Sequence, residues 1–121
     1  MQRWAIVGAV NLAIGVALGA FGAHALTDRF DARQMDLWAT AQQYHVWHGL
    51  GLVLIGLIAA STGRDLKWPG GLLTLGIAIF SGSLYLLALT DAKWLGAVTP
   101  FGGAAFVAGW IALALVLRKA P

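Results

Sequence analysis

Four apolar stretches without a single charged residue dominate this chain, at residues 4–26, 40–60, 70–90 and 100–117. Each approaches the roughly 20 residues that a helix needs to cross the hydrocarbon core of a bilayer. Lipid offers no hydrogen bonds to a bare backbone, so a segment at that depth must be helical. The sequence therefore predicts an all-α, polytopic membrane protein: an antiparallel four-helix transmembrane bundle forming one domain over residues 1–121. Residues 27–39 are expected as an outer interfacial loop or helix, with Asp31 capping a helix that begins at Ala32.

Composition narrows the chemistry. The chain is 60% hydrophobic and 11% charged, outside the range of water-soluble globular domains. It has no cysteine, so thiol nucleophiles, thiolate metal sites and disulfide exchange are excluded. No basic run suggests nucleic acid. Ala23-His24-Ala25 resembles a signal-peptidase site, but the apolar run before it exceeds the usual core of about 7–15 residues, so the first stretch is read as a span.

Orientation follows the distribution of Lys and Arg. Arg3, Arg64, Lys67, Arg118 and Lys119 fall on one side with Asp65. Arg29, Arg33 and Lys93 fall on the other with Asp28, Asp31, Asp36 and Asp91. The excess of basic residues predicts both termini in the cytoplasm. Trp38 and Trp94 outside, with Trp4 and Trp68 inside, suit aromatic belts at the two interfaces.

Small residues recur at helical spacing, which lets membrane helices approach closely. Gly8, Gly15, Gly19 and Gly22 lie on such a face in the first span, Gly49 and Gly56 in the second, Gly82 in the third, and Gly102 and Gly109 in the fourth. Asn11 is expected to donate an interhelical hydrogen bond. Thr74, Ala78, Ser81 and Tyr85 share a stripe of the third span, read as packing with local hydrogen bonding. Thr99-Pro100 is expected to open the fourth span as N-cap and first-turn proline.

All three histidines, His24, His45 and His48, are expected near the outer side. Ionisable residues at membrane depth are functional candidates. With Tyr44 they could form a ligand site whose polar path continues through Asn11, Ser81 and Tyr85. Three neutral imidazoles could hold zinc, and two could ligate haem. The simpler reading is hydrogen bonding to backbone or to one another, so no metal and no cofactor is expected. The chain has no Glu and no Asp within a span, which removes carboxylate-based proton coupling and di-iron chemistry. Ser81 and Ser83 have no acid partner for nucleophilic catalysis.

Gly19-Ala20-Phe21-Gly22-Ala23-His24-Ala25-Leu26 resembles the YgdD/YwdK-like family of small bacterial inner-membrane proteins, a domain of unknown function. The resemblance continues at 40–44, 48–50, 80–86, 95–103 and Gly109-Trp110, covering essentially the whole chain. It implies a multi-pass inner-membrane protein and carries no established activity. It also implies histidine at positions 24 and 48 and a different residue at 45, which favours a His24–Tyr44–His48 group over a three-histidine site. Where Asp91 stands, the resemblance implies glycine or asparagine. The expected function is a non-enzymatic accessory or assembly protein of a larger membrane complex, or a homo-oligomer, in contact with the lipid bilayer and not with nucleic acid. The alternative is small-ligand, ion or metal binding or transport at the outer His/Tyr site.

Overall fold

The computed structural model describes residues 2–119 and is all-helical among them. Four helices are long and apolar enough to cross a membrane: α1 (Arg3–Leu26), α2 (Ala32–Thr62), α3 (Lys67–Thr90) and α4 (Leu95–Leu117). At 1.5 Å per residue, α1, α3 and α4 each measure about 35 Å and α2 about 46 Å. Residues 32–39 are continuous with the second span, as a helix capped by Asp31 predicts. They are the first two turns of α2, which begins one residue after Asp31.

Asp31 holds that start by a reciprocal capping box. Its Oδ1 accepts from Gln34 N at 2.8 Å while its own N–H donates to Gln34 Oε1 at 2.9 Å, an arrangement in which the cap alone contributes about 1 kcal/mol. Gly63 ends α2 at φ 70°, and Asp91 ends α3 at φ 55°. Both are left-handed caps, a conformation that glycine adopts without strain and aspartate less readily.

The centre of the bundle is α2 packed against α3. Helix α1 lies chiefly on α2, and α4 lies on α3. Glycine decides both outer contacts. A Cβ on Gly8 would stand 2.6 Å from Gly49 O and Val53 N, so the α1 and α2 backbones touch there. Gly102 receives the Phe80 backbone, and Gly109 receives Leu73. Between these seams lies one apolar cluster with Leu52, Ile55, Leu73, Ile77, Phe106 and Leu113, and a second around Trp38, Ala41, Leu84 and Ala88.

Three expectations need correction. Gly82 is not a packing glycine, since a Cβ there would meet nothing within 4 Å. Trp38 is not in the aromatic belt: it is 4% exposed, lies over Gly22, and donates its indole N–H to Leu18 O at 3.2 Å. Helix α4 begins at Leu95, so Thr99 is not its cap and Pro100 lies inside the helix. Its first turn is wound by i→i−3 bonds from Leu95, Gly96 and Ala97. Thr99 Oγ1 bonds Leu95 O and Ser83 Oγ instead.

Helix α3 contains a π-helical segment, Ile77–Ser81. The wider turn breaks the expected stripe: Ser81 and Tyr85 are buried, Thr74 is half-buried, and Ala78 is exposed. A second π segment, Gly22–Leu26, ends α1.

Candidate functional site

A chain of polar side chains crosses the α1–α2–α3 junction. His45, in the middle third of α2, places Nε2 3.2 Å from Asn11 Oδ1 on α1 and Nδ1 2.9 Å from the Tyr85 hydroxyl on α3. Gln42, one turn earlier on α2, donates through Nε2 to the Tyr85 oxygen at 2.8 Å and to Gly15 O at 3.0 Å. Asn11 closes the other end by donating Nδ2 to Val7 O at 2.9 Å.

These partners fix the direction of every bond. Because the Asn11 amide nitrogen is committed to Val7 O, its Oδ1 faces His45, and His45 Nε2 must carry the proton. Nδ1 of the neutral ring then accepts from Tyr85 O–H, whose oxygen accepts from Gln42. Both ends of the chain finish on backbone carbonyls of α1. No buried side-chain nitrogen or oxygen among the described residues lacks a partner.

This arrangement ties helices together. Its terminal members are amides, which do not ionise, so it offers no path for a proton beyond His45 and Tyr85. It also corrects the reading of Asn11, which reaches across the interface as an acceptor and spends its donor on its own helix. Nearby, Ser81 Oγ donates to Ala41 O at 2.8 Å, where the π segment meets α2. At that segment the missing regular turn places Ser81 against another helix's carbonyl.

His48 belongs to a different seam. Its Nδ1 donates to Tyr44 O at 2.7 Å, and its ring stacks on Phe106 of α4 at 3.6 Å between centroids. Tyr44 lies nearly parallel to His48 at 6.0 Å and packs against Phe80 at 4.6 Å. His24 is exposed at the end of α1. The structure therefore divides the expected histidine group. His45 joins Asn11, Tyr85 and Gln42; His48 and Tyr44 join the α2–α4 aromatic stack; His24 joins neither. Among the described residues no three His, Cys, Asp or Glu side chains are placed to hold a metal ion. The cause is spacing: residues 45 and 48 point into neighbouring grooves of α2.

Sequence reasoning underrates Gln42 and Trp38, which join the helices through Gly15 O and Leu18 O. The available signal is their one-turn spacing, which continues to His45 and aligns with the glycine face of α1. The other glycines of α1, and two of α2, make contacts across the same seam. Gly15 meets Val46 and His45, Gly19 meets Gln42, Gly22 meets Trp38, Gly49 meets Leu12, and Gly56 meets Ala5.

Comparison with known proteins places this architecture among relatives. The DUF423 family, described as a protein of unknown function, matches residues 18–103. That range holds Gln42, His45, His48, Ser81 and Tyr85, while Asn11 precedes it. A UPF0382 membrane protein of Staphylococcus epidermidis is 47% identical over 98% of both chains. One from Staphylococcus saprophyticus is 45% identical over 95% of this chain and 96% of its own. The UPF0382 membrane protein YwdK of Bacillus subtilis is 40% identical over 98% of both. No solved structure matches the chain.

Proposed function

The chain belongs to the DUF423 family, and on that premise we propose that it is a non-enzymatic protein of the bacterial inner membrane, working by helix contact with other membrane chains. It serves as an accessory or assembly partner of a larger complex, or associates with copies of itself. Both termini lie in the cytoplasm, in keeping with the five basic residues at that end.

The observation that carries this reading is the uneven cover of the helices. Half of the most apolar 18-residue stretch of α3 is buried inside the chain, against 17% for α1. Helix α1 uses its glycine face on α2, and its opposite face is open, with Ile6 60%, Val10 52% and Val16 71% exposed. Ala9, Ala13, Ala17 and Ala20 are exposed along the same helix at spacings that admit a second helix. The polar side chains of the interior are spent on one another and on backbone carbonyls, which supports a structural role for them.

A photo-crosslinking residue placed at Val10 or Val16, and at Leu86 of α3 as control, tests the proposal in native membranes. The expected result is a protein adduct from α1 and lipid adducts alone from Leu86. Lipid adducts alone from both helices would refute it.

A further inference from the structure

A groove of about 550 Å³ runs between the first turn of α1 and the first turns of α3. Arg3 and Lys67 stand at its mouth, with Trp4 and Trp68 as its walls. Gly71, Leu72 and Leu75 line it toward the bilayer interior. Leu75 lies eight residues beyond Lys67, about 12 Å deeper along the helix. Charge therefore lies at headgroup level and apolar surface below it.

Two glycines make the groove. A Cβ at Gly70 would collide with the Trp4 ring, so Gly70 lets Trp4 lie flat on α3. A Cβ at Gly71 would meet nothing within 4 Å, so the space beside it is open. The guanidinium carbon of Arg3 lies 5.2 Å from the centre of the Trp4 ring, which holds the charge over the groove.

Among the described residues neither charge at the mouth is in an ion pair. The ion pair among the described residues is Arg33–Asp91, at the other end of the bundle. Asp65 caps the Lys67 backbone N–H at 3.0 Å and lines, with Arg3, Trp4 and Arg64, a neighbouring cavity of about 260 Å³. Arg64 is committed elsewhere, donating to Val116 O and Lys119 O at the end of α4.

We propose that this groove binds one anionic phospholipid, Arg3 and Lys67 taking its phosphate and the Gly71–Leu72–Leu75 surface its acyl chain. Basic pockets between helices above an apolar surface have the chemistry to recognise such a lipid. A zwitterionic lipid brings a cation of its own to the two basic side chains. A phosphate without acyl chains leaves the lower groove empty.

Native mass spectrometry of the delipidated full chain, titrated with phosphatidylglycerol and phosphatidylethanolamine, tests this. The expected result is one retained phosphatidylglycerol, preferred on the order of thirtyfold, since two basic residues at the surface together contribute about 2 kcal/mol toward an anionic lipid. Arg3→Gln with Lys67→Gln abolishes the preference. Gly71→Leu keeps both charges, fills open space, and weakens retention of both lipids. Arg118→Gln with Lys119→Gln, at the same end but outside the groove, leaves the preference intact. Equal loss in that control would show diffuse attraction and overturn the proposal. So would unchanged binding to Gly71→Leu, or displacement by an excess of inorganic phosphate. Arg3 and Lys67 are exposed, so all variants are expected to keep the parent's helical circular dichroism.

Discussion

His45 is bonded through both of its ring nitrogens, to Asn11 on α1 and to Tyr85 on α3. Replacing it by leucine leaves Asn11 Oδ1 without a donor and the Tyr85 O–H without its acceptor in a region poor in water, while Gln42 still donates to the Tyr85 oxygen. The expected loss is about 1–2 kcal/mol, read as a lower unfolding midpoint in detergent. Adding Tyr85→Phe should recover part of it. A double-mutant cycle should give a coupling of about 0.6–1.7 kcal/mol between His45 and Tyr85, and a coupling of zero would deny that the bond matters. This residue was hard to read from sequence because histidine spacing says nothing about tautomer or groove. The resemblance to a known family pointed to positions 24 and 48, whereas the seam is built on 45. Asn11 and Tyr85 were legible as polar members of small-residue faces. Asp91 makes a second case at this scale. It holds a left-handed φ of 55° and an exposed ion pair with Arg33 at 3.3 Å. Surface pairs contribute little, while glycine removes the left-handed strain. Asp91→Gly should therefore leave thermal stability unchanged or raise it by up to about 1 kcal/mol, and a clear loss would show that the Arg33 contact matters more than the backbone.

Elements were legible where lipid dictates them and illegible where one residue too many enters a helix. The uncharged stretches mark all four helices, yet α2 and α4 begin earlier than those stretches because Asp31 and the i→i−3 turn at Leu95 start them outside the apolar run. The stripe of Thr74, Ala78, Ser81 and Tyr85 assumes a uniform helical period. The π segment Ile77–Ser81 takes up one extra residue and turns Ala78 outward. Such a bulge preserves the faces on either side of it. Deleting Ala78 should then yield a regular helix in which Leu73, Ile77, Ser81 and Tyr85 still face inward. Deleting exposed Leu54 from the regular part of α2 should rotate everything beyond it by about 100° and abolish folding. Retained monodisperse protein for the first deletion alone, by size-exclusion chromatography, is the expected outcome. Glycines divide in the same way. Gly8→Leu drives a side chain into the Gly49–Val53 backbone and should separate α1 from α2, with a loss of at least about 2 kcal/mol. Gly82→Ala meets open space and should gain up to about 1 kcal/mol of helix propensity. The sequence cannot distinguish these two glycines, since both lie on apolar helices and only the partner backbone tells them apart.

At the scale of the whole molecule the two ends of the bundle differ in charge, and this difference predicts how the protein sits in its membrane. Arg64 reaches the end of α4 and shares a cavity with Arg3, so the basic residues near both termini gather on one face. The opposite end mixes signs, with Asp31, Arg33, Asp91 and Lys93 around a pocket of about 630 Å³. Basic residues in short loops resist translocation, so the first end should remain in the cytoplasm. The groove of Arg3 and Lys67 would then open to the cytoplasmic leaflet, and the open face of α1 would run the depth of the bilayer beside it. The chain has no cysteine, so a single introduced one reports its own side without background. Lys93→Cys should react with a membrane-impermeant maleimide in intact cells. Thr62→Cys, exposed at the end of α2, should react only after permeabilisation. The reverse pattern would put both termini outside and move the lipid groove to the outer leaflet. Labelling of both residues in intact cells would mean that the chain inserts in two orientations, and no single charge asymmetry would then govern it.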